Sequence, residues 1–300
     1  MTTSTNTSAI SHAATANFRV WGTQLSGMLD TIGFIKSADT GQIDWATVTR
    51  PGVNTSGGYE IRYMNDSLHG TAPIYVKLEY GTGAAADYPG MWVTIGTGSN
   101  GSGTITGILL VREAMQGDGF ALDTTVGTKV SYACMARGCV WFAYKTENRN
   151  STLYPVFVMS IERTKDDAGA ISADGFVYYR GVNGYGAYSG WADFFMFSGG
   201  YTASTNSSLV IFGGQYAFMP YNLGALATIV AGVPGDYQIA RHYHTNPQIR
   251  PLLCTVSLSP GDAITKGTTF TATVLGVTAS TYICTGRAFS YYDYFGMIWE

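Results

Sequence analysis

Hydrophobic residues follow two different periods along this chain. Between residues 18 and 32, large apolar side chains recur at alternating steps of three and four, which predicts an amphipathic helix. The apolar stripe of this helix consists of Phe18, Trp21, Leu25, Met28 and Ile32. Asn17 is the expected N-cap, and Gly33 is the expected end of the helix. Because Gly22 and Gly27 each weaken a helix interior by about 1 kcal/mol, packing within the molecule or against another subunit must hold the helix, and we interpret the stripe as an assembly helix.

After residue 33 the period changes to two, which is typical of antiparallel strands with one buried and one exposed face. Alternation of this kind covers the segments 59–63, 74–80, 91–95, 252–258 and 270–274. In the first of them, Glu60 and Arg62 fall on the face that is predicted to be exposed. The segment 153–161 is apolar on both faces and predicts a central strand. Since Gly-rich turns separate these segments, the fold is predicted to be mainly β, an antiparallel β-sandwich or jelly-roll-like body with one N-terminal helix.

The composition along the chain suggests three parts. Residues 1–16 are rich in Thr, Ser, Ala and Asn and form either a flexible arm or an arm docked on a neighbour. Residues 17–165 contain the helix and a β domain, and residues 166–300 form a second β domain rich in Gly and Tyr. The boundary is expected within the polar segment 164–175, and a single domain is the alternative.

Charged residues make up 12% of the chain, against about 25% in an average soluble domain. The 21 tyrosines suit subunit interfaces, because a tyrosine ring buries apolar area while its hydroxyl stays hydrogen-bonded. We therefore expect further copies of the chain to cover part of its surface. The net charge of −3 and the absence of a basic run argue against a nucleic-acid partner.

Targeting and cysteine patterns point to an intracellular site of folding. No apolar run reaches the roughly 20 residues that a membrane-spanning helix needs. The N-terminal segment lacks a basic region followed by an apolar one, so we expect no secretory signal. Cys134, Cys139, Cys254 and Cys284 are expected to be buried thiols rather than a disulfide framework or a zinc site.

The segment 175–201 is too rich in Gly and aromatic residues for a simple alternating strand, and we interpret it as a long loop. As candidate glycan or receptor contacts it would present Tyr178, Tyr179, Tyr185, Tyr188 and Trp191. The alternative is that these rings fill a wide core or a subunit contact.

Several short motifs are candidates for chemistry. Gly96, Gly98 and Gly101 match a dinucleotide-binding spacing, but the residues that follow favour a hairpin turn and a strand over the required helix. His242 and His244 would share one face of a strand and are a candidate metal pair, with two ordinary surface histidines as the alternative. The acid pairs Asp166 with Asp167 and Asp39 with Asp44 are candidates for glycoside hydrolysis, although turn formation is a commoner role for Asp. We predict no cofactor and no enzymatic activity.

Residues 18–107 contain the runs FRVWGTQLSGMLDTIGFIKSADTGQIDWATV, PIYVKLEYGTG and MWVTIGTGSNGSGTITG. In these runs the segment resembles structural proteins of tailed-phage virions. The resemblance implies a multicopy virion protein that is assembled in the host cytoplasm, and it carries no functional residue over to this sequence.

Composition and resemblance together predict a structural virion component of the tail tip, the baseplate or an attached tail fibre. Its partners would be copies of itself, with a trimer as the first expectation, and other virion proteins. Three alternatives stay open: a receptor- or glycan-binding protein for host attachment, a capsid decoration protein on the head, and a polysaccharide depolymerase.

Overall fold

A computed structural model gives the fold of the chain. It describes residues 3–9, 14–83, 89–114, 128–144, 157–166, 169–182, 191–198, 202–203, 237–243, 249–258, 269–272, 280–287 and 294–300. The chain divides into two compact units, the first comprising residues 1–133 and 142–151 and the second residues 134–141 and 152–300. Within the segment 164–175, where the boundary is predicted, the chain forms the turn of a hairpin, in which Asp166 donates its backbone N–H to Ala170 O at 2.8 Å.

Strands dominate the described residues, as the alternating pattern predicts. The elements are β1 (Thr3–Ala9), α1 (Thr15–Thr31), β2 (Phe34–Lys36), β3 (Thr55–Met64), β4 (Tyr75–Thr82), β5 (Pro89–Ser99), β6 (Ile105–Ala114), β7 (Thr128–Ala136), β8 (Cys139–Tyr144), β9 (Phe157–Lys165), β10 (Ile171–Val182), β11 (Trp191–Ser198), β12 (Thr202–Ala203), β13 (Tyr237–Tyr243), β14 (Ile249–Leu258), β15 (Thr269–Ala272), β16 (Ser280–Arg287) and β17 (Tyr294–Ile298). The sheets have the orders β2-β3-β4-β5-β6, β1-β7-β8-β9-β10-β11-β12 and β13-β14-β17-β16-β15. The mainly β prediction with one N-terminal helix is confirmed within the described residues.

The helix begins earlier than its sequence signals suggested. Ala14, in an extended conformation, is the N-cap and makes no side-chain capping bond, so the prediction of Asn17 as the cap is wrong. The end of the helix is as predicted, because Gly33 adopts a positive φ of 81° and donates its N–H to Asp30 O at 3.0 Å.

In the first unit, α1 packs on one face of the five-stranded sheet, which we call the inner face. Alternate residues of β4 point to this face, and Val76, Leu78 and Tyr80 are completely buried there. The ring of Trp21 on the helix meets the ring of Tyr80 edge to face, with centroids 5.9 Å apart. The core of this unit therefore lies between the helix stripe and the inner face.

The N-terminal part, expected as an arm, contains a strand. β1 lies beside β7 at the edge of its sheet, and it contacts α1. Residues 3–9 are thus held against the chain's own elements.

In the second unit, strands from two antiparallel sheets pack as the predicted β-sandwich. β9 of one sheet contacts β14 of the other, and Trp141 on β8 donates its indole N–H to Ile298 O on β17 at 2.8 Å. β9 lies between β8 and β10, and every described side chain from Met159 to Lys165 is buried, which confirms the prediction of a central strand for residues 157–161. Residues 153–156 lie outside the described residues.

Candidate functional site

A buried carboxylate lies at the centre of the contact between the helix and the sheet. Glu60 on β3 is completely buried on the inner face. Its two oxygens accept five hydrogen bonds, from Ser26 Oγ at 2.6 Å, Lys36 Nζ at 3.1 Å, Trp45 Nε1 at 3.3 Å, Arg62 Nε at 3.0 Å and Tyr80 Oη at 3.0 Å. These donors come from α1, β2, the segment after β2, β3 and β4, so a single side chain ties the helix to three strands of the sheet.

Arg62 completes this arrangement from the same face of β3. Its guanidinium contacts Glu60 Oε2 at 2.9 Å and Asp30 Oδ1 at 2.7 Å. It also donates to the backbone oxygens of Phe34 at 2.7 Å and Ser26 at 3.2 Å. We call Ser26, Asp30, Lys36, Trp45, Glu60, Arg62 and Tyr80 the anchor cluster. The prediction that Glu60 and Arg62 lie on the exposed face is wrong, because ionic and hydrogen-bond partners around them compensate for the loss of water.

The electrostatics of the anchor cluster favour its charged form. Burial acts to raise the pKa of the Glu60 carboxyl, but the charge of Arg62, the Ser26 hydroxyl and the charge of Lys36 outweigh it and hold the pKa below its usual value. Burial beside Glu60 raises the pKa of the Tyr80 hydroxyl well above its usual value. Since Glu60 is saturated with donors and shielded from solvent, the cluster is suited to holding the helix in place rather than to reacting with a substrate.

The two acids Asp39 and Asp44 each organise a turn. Asp39 accepts hydrogen bonds from the hydroxyls of Ser37 and Ser99, both at 2.6 Å, and from the backbone N–H of Gly103 at 3.1 Å. Asp44 accepts from the backbone N–H of Ala46 and the hydroxyl of Thr47. Asp44 thus forms its own turn, the commoner role expected for these residues, whereas Asp39 ties its segment to the hairpin turn that follows Ser99. Asp166 likewise accepts the N–H of Ala170 at 2.9 Å, and Asp167 lies outside the described residues.

The segment with the dinucleotide-like spacing is a hairpin turn. Asn100 Oδ1 accepts the backbone N–H groups of Ser102 and Thr104, and Gly101 has a positive φ of 80°. β6 follows directly, so the preference for a hairpin over a phosphate-binding loop is confirmed.

The opposite, outer face of the five-stranded sheet carries cations stacked on aromatic rings. The ammonium of Lys77 lies 4.3 Å from the ring centroid of Tyr59 and donates to Gly103 O at 2.9 Å. The guanidinium of Arg112 lies 4.4 Å from the ring centroid of Trp92 and pairs with Glu79 at 2.8 Å. Each of these cations is therefore held in place by an aromatic ring and by an oxygen acceptor of its own unit.

A cluster of three rings lies at one end of the same face. Tyr63 on β3 stacks on His69 with centroids 4.4 Å apart, and Tyr75 on β4 lies 5.4 Å from Tyr63. These rings are half-buried, and their stacking on one another holds the β3–β4 connection against the sheet.

The edge of this sheet exposes apolar side chains. β6 is the last strand in the order, and the exposed fractions of Ile108 and Val111 are 52% and 65%. They are the two most exposed large hydrophobic side chains among the described residues. The apolar run Ile108 to Val111 was a visible signal in the sequence, but it did not reveal that this strand lies at an edge.

The structure places the predicted assembly helix stripe inside its own unit. None of its five side chains is more than 4% exposed. The stripe therefore packs on the inner face of the sheet and is not available to a neighbouring copy in this conformation. The outer side of the helix carries one large apolar residue, Val20, which is 45% exposed.

Three of the five aromatic candidates lie on strands rather than in the expected long loop. Tyr178 and Tyr179 belong to β10, and Trp191 begins β11, so that part of the loop prediction is wrong. Tyr178 is completely buried, as the alternative of a core role implied. Tyr185 and Tyr188 lie outside the described residues.

The histidine and cysteine candidates are only partly placed. His242 lies on β13 opposite Arg250 of β14, whereas His244 lies outside the described residues. Among the side chains that are described, no group of three or more His, Cys, Asp or Glu is arranged to hold a metal ion. Cys134 and Cys139 are buried thiols, as expected, and they are not joined to each other in a disulfide.

Comparisons with known proteins identify no relative. No protein-family model matches this chain, and neither the curated proteins nor the solved structures yield a match. Within the described part of the chain, no helix combines the length and apolar character needed to span a membrane.

Proposed function

We propose that this chain is a non-enzymatic structural component of a tailed-phage virion, in the tail tip, the baseplate or an attached fibre, and that it works as a homo-oligomer. The resemblance of residues 18–107 to virion proteins supports a place in a phage particle. The small number of charged residues supports association with other copies of the chain. The observation that carries the assembly part of the proposal is the burial of charged side chains inside the fold.

The surface has even fewer charges than the composition implies. Of the 17 basic and 20 acidic residues in the sequence, six are buried within the part of the chain that the structure describes. They are Asp39, Glu60, Arg62, Glu162, Arg163 and Lys165. Charge that is used inside a fold cannot keep its surface hydrated, so association with other copies becomes more favourable.

The environments of the acids support a structural role. Glu60 is saturated with donors, and the carboxylates of Asp39, Asp44 and Asp166 organise turns. Paired-acid hydrolysis needs two carboxyl groups that face a common substrate, and these four groups are committed to other contacts.

Two measurements test the proposal together. Mass spectrometry and immunogold labelling of purified virions should find the chain in the tail. Analytical ultracentrifugation of the purified chain at micromolar concentration should find an oligomer, with a trimer as the first expectation. Labelling on the head would favour a decoration protein instead. A soluble monomer that is absent from particles would contradict the proposal.

A further inference from the structure

We propose that strand β6 is a self-association surface, at which two copies of this chain pack their β6 strands against each other about a twofold axis. This inference rests on the homo-oligomer part of the proposed function. A twofold contact gives a dimer or an assembly built from dimers, so it departs from the closed trimer that was the first expectation. The partner is a second copy of the chain.

The position and exposure of β6 make it accessible. One side of the strand pairs with β5, and no other described strand pairs with its outer side. Ile108 and Val111 are more than half exposed, and Leu109 between them is half-buried. An exposed apolar edge strand promotes pairing with another chain, and most proteins protect such edges with charge.

The register of β6 determines how the contact forms. The pairing with β5 shifts between Val93 and Ile95 and again between Ile95 and Gly96, so β6 contains extra residues on both sides of Leu110. Such bulges interrupt the regular row of outward N–H and C=O groups and redirect side chains. We therefore expect the side chains of Ile108 and Val111, rather than an uninterrupted backbone ladder, to carry the contact.

The charge pattern of β6 favours the antiparallel direction for a contact between two copies. The residues from Ile105 to Val111 carry no charge, and both charged residues of the strand, Arg112 and Glu113, lie near its end. In a twofold antiparallel arrangement centred between Leu109 and Leu110, Ile108 lies near Val111 of the second copy. Arg112 then lies near the uncharged Gly107, whereas a parallel in-register arrangement would place two Arg112 side chains together.

The contact also leaves the charge of Arg112 compensated. Its guanidinium already pairs with Glu79 and stacks on Trp92, so no external acid is required. The charges of Arg112 and Glu113 on β6 cancel, so a second, equally neutral β6 strand is a better partner for it than a charged surface.

The test compares two variants of the chain, in each of which one exposed valine is replaced by glutamate. Val111→Glu places a charge in the proposed contact, and Val20→Glu places the same charge on the outer side of α1, where valine is also exposed. We expect Val111→Glu to raise the dissociation constant of self-association by roughly 10- to 100-fold and Val20→Glu to leave it unchanged, as measured by sedimentation equilibrium. Thermal unfolding of both variants establishes that they fold.

A crosslinking experiment gives an independent readout. Val111→Cys should be joined to a second copy by a short bis-maleimide, whereas Val20→Cys and the unsubstituted chain should not. An oligomer whose affinity survives Val111→Glu and which is not crosslinked through Val111→Cys would overturn the β6 contact and leave the proposed function standing. If the unsubstituted chain is monomeric, both the contact and the homo-oligomer proposal fail.

Discussion

At the scale of single residues, the same pair of residue types has two different roles in the first unit. Glu60 and Arg62 form a completely buried ion pair beneath the helix, whereas Glu79 and Arg112 form a pair on the outer face, where Arg112 is 47% exposed. Removing one partner of a buried pair leaves an uncompensated charge in a poorly solvated site, but removing one partner of an exposed pair lets water take its place. The environment, rather than the residue type, therefore sets the contribution of each pair to stability.

Substitution of the two glutamates by glutamine separates these roles. We expect Glu60→Gln to lower the free energy of unfolding by about 3–5 kcal/mol, because Arg62 keeps its charge and loses its buried counterion. Glu79→Gln should change it by less than about 1 kcal/mol. Urea denaturation followed by tryptophan fluorescence measures both free energies of unfolding. Equal decreases in the two variants would contradict a larger contribution of the anchor cluster to stability.

The lowered pKa of Glu60 predicts a dependence of stability on pH. Because the carboxyl has a lower pKa in the folded state than its ordinary value of 4.5, its contribution is fully present above that value and is lost as the pH falls through the folded pKa. The free energy of unfolding of the parent chain should therefore fall in this acidic range.

The variant Glu60→Gln isolates this contribution from those of other acids, such as Asp39. Asp39 also has a lowered pKa: burial acts to raise it, and the hydroxyls of Ser37 and Ser99 outweigh that effect. Denaturation series at several pH values should show a shallower decline for the variant than for the parent chain. Parallel declines would mean that Glu60 does not contribute to acid sensitivity.

At the scale of elements, the helix shows how packing overrides local preference. Both Gly22 and Gly27 lie in α1, where glycine is unfavourable. A side chain at Gly22 would meet the ring of Trp45, whereas a side chain at Gly27 would meet nothing within 4 Å. The ring of Trp45 is itself packed against Phe18 and Tyr80, so it cannot easily move away.

The same substitution at these two glycines should have opposite effects. We expect Gly27→Ala to raise the free energy of unfolding by about 0.5–1 kcal/mol through its higher helix propensity. Gly22→Ala should lower it by about 1–3 kcal/mol, since the methyl group displaces Trp45. Thermal unfolding followed by circular dichroism tests the pair, and stabilisation by both substitutions would contradict the close packing of α1 on Trp45.

At the scale of the whole molecule, charge is sparse and part of it is used internally. Association driven by apolar contacts differs from association driven by ion pairs in its response to salt, because salt screens exposed charges and does not weaken apolar contacts. The ionic-strength dependence of assembly therefore reports which force dominates.

We expect self-association of the chain to be as strong at high salt as at low salt. Sedimentation equilibrium at NaCl concentrations of about 0.05 M and about 0.5 M should give dissociation constants that agree within a factor of about three, or a tighter one at high salt. A clear weakening at high salt would indicate an ionic interface and would argue against β6 as the main contact.

The periodic patterns predicted an element well where burial of one of its faces is the main cause of the pattern. The stripe from Phe18 to Ile32 and the alternation around Val76 both record burial against one side, and they predicted α1 and β4 to within a few residues at each end. The start of the helix was missed because Ala14 and Thr15 carry no strong capping signal. The strand identity of Tyr178 was missed because Gly and aromatic residues obscure the period of two.

By itself, the sequence determined the mainly β class, the helix, the hairpin after Ser99 and the low charge of the chain, because these depend on local periodicity and composition. Only the tertiary structure decided that Glu60 and Arg62 are buried, that the helix stripe is covered by its own sheet and that β6 lies at an edge. Burial of a charge and exposure of an apolar strand depend on which elements lie beside each other, and residues far apart in the sequence settle that only when the chain folds.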